Sequence, residues 1–168
     1  KEETFRIRQQ IVTDPQSAEA SIRDLLAKDP QTDEAKVMLL QVLHQQERFE
    51  ECRELLQELE GRGFLEPECQ RIQSEISMLD KESVDVDDLR YRVAKDPKDY
   101  ALQLELAQAL AAGRQYTDSL DVCLQLVSMD RRGTGEPARL LMLDIFRVEG
   151  DDSEVTQEYR RKLSMALY

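Results

Sequence analysis

Apolar residues recur at three- and four-residue spacing along almost the whole chain, and no window alternates apolar with polar residues. The observed spacing is typical of amphipathic helices, whereas strict alternation is typical of half-buried strands. Asp-Pro pairs at 14–15, 29–30 and 96–97 interrupt the pattern. Pro cannot continue a helix and restricts the residue before it, so these pairs mark helix boundaries and are not catalytic. The pattern predicts an all-α fold of about ten helices.

The same pattern predicts the first helix and part of the core. Phe5, Ile11 and Val12 indicate the first helix, which Asp14-Pro15 ends. Six leucines in later helices are expected to be buried: Leu39, Leu43, Leu56, Leu106, Leu110 and Leu124.

Glycines and further prolines predict other boundaries. Pro67 suits the first position of a helix. Gly133 and Gly135 are expected to open a loop, after which Pro137 starts the ninth helix. The last helix is predicted to fill 153–168.

The chain contains an internal repeat. Ala-Lys-Asp-Pro occurs at 27–30 and again at 94–97, which is 67 residues later. Ten helices taken in pairs give a period of about 34 residues, the helix–turn–helix spacing of tetratricopeptide repeats (TPR). We therefore predict one TPR-like solenoid domain over 1–168, a right-handed superhelix whose neighbouring pairs share a core. The predicted pairs are 1–30, 31–63, 64–97, 98–131 and 132–168.

Alignment to the TPR pattern supports the repeat in two units. In the earlier unit, the first helix of the motif is matched by Leu39, Leu40 and Leu43. Phe49 matches the aromatic residue that opens the second helix, and Cys52 matches the small residue of that helix. The later unit matches through Leu106, Ala107, Leu110, Tyr116 and Ser119. The middle pair departs most, because Asp85 occupies the position of a small residue.

Charge and composition exclude several classes of partner. The net charge of −12 repels phosphate backbones and anionic lipids, so we expect no nucleic-acid and no membrane partner. No apolar run is long enough to span a bilayer, and no secretory signal is visible. The chain starts at Lys1 without Met, so we expect a fragment whose natural N-terminus is missing.

The cysteines indicate a reducing compartment. The chain has three cysteines, an odd number, at Cys52, Cys69 and Cys123. No two of them form a C-x-x-C pair, which excludes a zinc ribbon and a dithiol redox site. Cys52 and Cys123 match tight packing positions and are expected to be buried structural thiols. The cytoplasm is the expected location.

Candidate catalytic chemistry is sparse, and we expect no enzyme, no metal and no cofactor in this chain. His44 is the only histidine and has no nucleophile pattern beside it. The acidic sets Asp85-Asp87-Asp88 and Asp151-Asp152 lack EF-hand spacing and are expected to open helices, where carboxylates are favourable. Arg132-Gly133-Thr134-Gly135 has no Lys and no preceding strand, so it is not a phosphate loop.

Binding remains, and two surfaces compete. Many TPR proteins hold a C-terminal peptide in their concave face with Lys and Asn side chains, but this chain has no Asn, so only a different concave site is possible. The final stretch "DDSEVTQEYRRKLSMALY" places Val155, Tyr159, Leu163 and Ala166 on one stripe, expected to pack on the preceding helix.

A second stripe of the last helix contains Arg161, Met165 and Tyr168 and is expected to face outward. These three residues are the candidate partner-binding site. The alternative interpretation is structural: Arg160-Arg161-Lys162 complement the negative end of the helix, and Tyr168 folds back onto the core.

The chain resembles the C-terminal TPR region of the bacterial chaperedoxins (YbbN or CnoX). The resemblance covers all 168 residues and is most specific at "DPKDYALQLELAQAL" and "YRRKLSMALY". It implies a holdase of the stress response that binds unfolding clients, guards them against oxidation and delivers them to the chaperonin GroEL. It also implies that the last helix docks on GroEL, and that the family's N-terminal thioredoxin-like domain is absent here.

A second hypothesis is that these repeats are the accessory half of a thioredoxin-like oxidoreductase and position its redox domain on a substrate. A C-x-x-C motif in the missing domain favours this hypothesis. An S-x-x-C motif or a single Cys favours the chaperone.

Overall fold

The computed structural model describes residues 2–79 and 84–168, and these residues form helices and no strand. The all-α prediction is confirmed. The helices in chain order are α1 Glu2–Thr13, α2 Pro15–Lys28, α3 Asp33–Gln45, α4 Phe49–Glu60, α5 Pro67–Leu79, α6 Val86–Lys95, α7 Tyr100–Ala112, α8 Tyr116–Met129, α9 Gly135–Glu149 and α10 Glu154–Leu167. Residues 80–83, which belong to the predicted pair 64–97, lie outside the described residues.

Aspartates define several helix ends. Asp14 caps α2 by accepting a hydrogen bond from the Ser17 backbone N–H at 3.2 Å, and Pro15 is the first residue of that helix. Asp29 and Asp96 end α2 and α6, each directly before a proline. The Asp-Pro pairs therefore mark helix boundaries, as the sequence predicts.

The chain forms two compact units, the first up to Gln73 and the second from Ser74 onward. In the first unit α2 packs between α1 and α3, and α4 packs on α3. Its fully buried side chains include Ile22, Leu40 and Leu59. The prediction that 1–168 is a single superhelical domain stays a prediction.

The second unit contains α6 to α10. Here α7 packs between α6 and α8, and α9 packs on α8. Most of the core lies between α7, α8 and α9, where Leu120, Leu126, Met142 and Phe146 are buried. The helix α10 also packs on α8, which makes α8 the central helix of this unit.

The 67-residue repeat is visible in the hydrogen bonds of two helix–turn–helix hairpins. After α3, the backbone N–H of Arg48 donates to the Leu43 carbonyl, and after α7 that of Gln115 donates to the Leu110 carbonyl. The residue before each donor has a positive φ, 57° at Glu47 and 59° at Arg114. The two turns therefore share a backbone conformation, although their residues differ.

The apolar residues that indicate the first helix are only partly buried, and one of the six leucine predictions is wrong. Phe5 and Val12 are 62% and 80% exposed, whereas Ile7 and Ile11 are buried. Residues seven apart share a helix face, and the face with Phe5 and Val12 is exposed. In α8, Leu124 is only half-buried, although the other five predicted leucines are buried.

The predicted start of the ninth helix is also wrong. The helix begins at Gly135, and Gly135 is buried. A Cβ atom at this position would lie 2.7 Å from the Asp130 carbonyl oxygen, which requires the turn to move. Gly135 is therefore part of a close backbone contact at the helix start.

Candidate protein-docking site

The candidate site lies on α10, whose start is well defined. Gly150 ends α9 with φ 90°, a conformation that favours glycine. Ser153 is the N-cap of α10, and its Oγ accepts a long hydrogen bond of 3.5 Å from the Thr156 backbone N–H. Asp151 and Asp152 precede this cap, so the prediction that they open the helix is wrong; Glu154 is the acidic residue of the first turn.

The inward stripe of α10 is placed as predicted, but its partner differs. Tyr159 and Leu163 are buried, and Val155 and Ala166 pack beside them. The helix packs chiefly on α8 and only slightly on α9, the preceding helix, which corrects the sequence prediction.

A tyrosine fixes α10 to α8. The Tyr159 hydroxyl donates to Asp121 Oδ1 at 2.5 Å. Burial and the neighbouring Asp121 carboxylate raise the pKa of Tyr159 far above its usual value. The phenol therefore stays protonated and remains a donor at physiological pH.

The outward stripe is exposed. Met165 is 68% exposed, Tyr168 is fully exposed, and Arg161 also faces solvent. Since Tyr168 does not fold back onto the core, the structural alternative for this residue is wrong. The side chains of Met165 and Tyr168 are thus available to a partner.

The basic residues of α10 have different roles. Arg160 forms an ion pair with Asp151 at 2.6 Å, and its guanidinium lies 5.6 Å from the centre of the Phe146 ring. Lys162 pairs with Glu158 at 2.6 Å. No basic residue lies in the last turn of α10, so residues 160–162 do not complement the end of the helix. Within the described part of the chain, Arg161 makes no hydrogen bond or ion pair.

A residue that sequence reasoning missed contacts the end of α10. Arg131, in the turn between α8 and α9, donates from Nη2 to the Ala166 carbonyl at 2.6 Å. The contact joins residues 35 positions apart. Such a contact leaves no periodic signal in the sequence.

The three thiols are buried. Burial raises the pKa of Cys52 and Cys69 to about 11 and that of Cys123 to about 12. A thiol with a raised pKa is mostly protonated and a poor nucleophile. The prediction that Cys52 and Cys123 are structural is consistent with these positions, and Cys69 now joins them.

A second surface lies in the first unit, between α1, α3 and the start of α5. This groove of about 650 Å³ is lined in part by Met38, His44 and Ile72. Its charges are largely internally paired: Arg8 binds Glu34 at 2.8 Å, and Arg71 binds Glu68 at 2.9 Å. The groove is thus mixed in polarity, with three carboxylates and two guanidinium groups in its lining.

The acidic sets have structural contacts. Asp85 caps α6 by accepting hydrogen bonds from the backbone N–H groups of Asp87 and Asp88. Among the residues that the structure describes, no three His, Cys, Asp or Glu side chains are grouped as a metal ion requires. No described helix has the length and apolar character to cross a membrane.

Comparisons with known proteins agree with the repeat. One tetratricopeptide repeat family model matches residues 80–168, and a second matches residues 13–76. A search of curated proteins gives no match. Among solved structures the chain is similar to a domain of protein VP0806, of unknown function, from Vibrio parahaemolyticus RIMD 2210633, with 20% identity, full coverage of both chains and a TM-score of 0.44. Since the first family model spans more than half of the chain, the protein belongs to the tetratricopeptide repeat family.

Proposed function

We propose that this protein is the TPR region of a chaperedoxin-type holdase, which binds unfolding clients and docks on the chaperonin GroEL in the bacterial cytoplasm. The family of the chain supports a binding role, because tetratricopeptide repeats are protein-interaction modules that present extended binding surfaces. The finer role rests on the resemblance of the sequence to chaperedoxins.

The observation that carries the docking proposal is the outward face of α10, formed by Arg161, Met165 and Tyr168. The solvent-exposed face of a helix in a globular protein is typically polar. The exposed Met and Tyr side chains depart from that pattern. They suit a helix that binds in a groove through a few apolar anchors, with Arg161 as a charged donor beside them.

The experiment is a binding titration with purified GroEL. The Met165→Ala/Tyr168→Ala variant should bind about tenfold more weakly or worse, because interface anchors often contribute more than about 1 kcal/mol each. Its circular dichroism and melting temperature should stay native-like, since both side chains are exposed.

The matched control is Leu163→Ala, on the inward face of the same helix. Loss of this buried side chain should lower the free energy of unfolding by about 2 kcal/mol. Its affinity for GroEL, measured well below the melting temperature, should fall less than that of the outward variant. Unchanged GroEL binding by the outward variant would reject α10 as the docking element and favour the groove of the first unit.

The oxidoreductase alternative assigns these repeats only a positioning role. The buried thiols of this chain, with their raised pKa values, do not favour redox chemistry within it. No observation on the described residues favours this alternative over the chaperone role.

A further inference from the structure

The last turn of α10 is held from outside the helix. The final four carbonyl groups of a helix have no partner within it, and cations stabilise this negative end. Since α10 has no basic residue in its own last turn, the Arg131 guanidinium supplies the cation at the Ala166 carbonyl. Ala166 lies between Met165 and Tyr168, the two apolar residues of the outward face.

The turn that presents Arg131 is closely hydrogen-bonded. Asp130 Oδ2 accepts from the Thr134 backbone N–H at 2.7 Å and from the Thr134 hydroxyl at 2.8 Å. The Asp130 carbonyl accepts from the N–H groups of Gly133 and Gly135. The hydrogen bonds from Thr134 lower the pKa of Asp130, so this carboxylate is charged at neutral pH. These hydrogen bonds therefore fix the conformation of the segment Asp130–Gly135, which contains Arg131.

A second contact holds the middle of α10. The hydrogen bond from Tyr159 to Asp121 joins this helix to α8, which also leads into the turn with Arg131. One side of α10 is thus attached to α8 at its centre and to the α8–α9 turn at its end. Helix ends otherwise fray, and frayed residues lose entropy when they bind a partner.

We propose that Arg131 is a positioning residue of the docking face: it orders the last turn of α10 and so pre-organises Met165 and Tyr168. The effect of an ordered last turn on partner binding rests on the proposed docking function. The order of the last turn itself is a property of the chain and is measurable without a partner.

The first measurement is amide hydrogen exchange by NMR in the complete chain. In Arg131→Ala, the amides of residues 165–168 should exchange about two- to fivefold faster, the factor that corresponds to a helix-terminus charge interaction. The melting temperature should hardly change, because Arg131 is exposed. Arg131→Lys, which keeps a cationic donor, should restore part of the protection.

The matched control is Arg132→Ala. Arg132 is the next residue of the same turn, is exposed and makes no hydrogen bond or ion pair with the described residues. Both variants remove one positive charge, so any effect of net charge is shared. Arg132→Ala should leave the exchange of residues 165–168 unchanged. Equal exchange in the two variants would overturn the inference.

The second measurement is the affinity for purified GroEL. Arg131→Ala should bind about two- to fivefold more weakly, in proportion to its loss of order, and Arg132→Ala should bind like the unmodified chain. Faster exchange with unchanged affinity would overturn the positioning role. If the unmodified chain does not bind GroEL, the proposed function fails, and the exchange data alone then support or overturn the ordering of the last turn by Arg131.

Discussion

The α3–α4 hairpin and the α7–α8 hairpin share a turn conformation and the length of their first helix, but have different side chains at the positions that hold them together. The first helices of the two hairpins, Asp33–Gln45 and Tyr100–Ala112, are equal in length and 67 residues apart. At the close approach of the two helices, the Ser119 hydroxyl donates to the Ala107 carbonyl at 2.7 Å. The equivalent Cys52 thiol lies 4.0 Å from the Leu40 carbonyl, a weaker contact.

The turns of the two hairpins also share a backbone conformation but differ in side-chain contacts. Glu47 and Arg114 both have a positive φ, but Arg114 also binds Glu75 at 2.9 Å. The two hairpins thus share the length of the first helix and the conformation of the turn, while the residues that stabilise these features vary. This explains why the repeat is degenerate in sequence and regular in structure.

The largest expected effect comes from overpacking the small position of each hairpin. Cys52→Leu and Ser119→Leu should each lower the free energy of unfolding by about 1–3 kcal/mol, because both sites are fully buried between two helices. Ser119→Leu should be the worse of the two, since it also removes the hydrogen bond to Ala107. Urea denaturation measures both changes.

Gln57→Leu and Gln125→Leu are the matched controls, because these glutamines are exposed on α4 and α8. They should leave stability within about 0.5 kcal/mol of the unmodified chain. If Cys52→Leu were as harmless as Gln57→Leu, the equivalence between Cys52 and Ser119 would be wrong.

A smaller effect distinguishes the two turns. Glu47→Gly should stabilise the protein by about 0.5–1 kcal/mol, because glycine relieves the left-handed conformation at some cost in unfolded-chain entropy. Arg114→Gly relieves the same strain but loses the ion pair with Glu75, whose side chain is only 10% exposed. The gain should therefore cancel or become a loss, as thermal unfolding would measure.

The control is to repeat both glycine substitutions in a Glu75→Gln background, where the two changes should become more alike. Equal stabilisation by Glu47→Gly and Arg114→Gly in the unmodified chain would mean that the Arg114–Glu75 pair contributes nothing.

Helix positions were predictable because they depend on local rules. Asp29-Pro30 and Asp96-Pro97 end helices where the sequence places them. The exposure of Met165 also followed from helical periodicity, which left open whether Tyr168 folds back onto the core.

Contacts between distant elements were not predictable. Periodicity gives the angle between residues of one helix but not which neighbour covers a face, so Leu124 was assigned to the core and α10 to the wrong helix. The Arg131–Ala166 contact depends on the fold of the turn after α8, which no spacing in the sequence indicates.

We propose that the outward face of α10 contacts GroEL, and site-specific photo-crosslinking detects such a contact directly. One variant has a photo-reactive amino acid in place of Met165, and a matched variant has it in place of Leu140, an exposed apolar residue of α9. We expect a crosslink to purified GroEL from position 165, reduced by an excess of the unmodified chain, and little crosslinking from position 140. A crosslink from position 140 with none from position 165 would contradict this proposal.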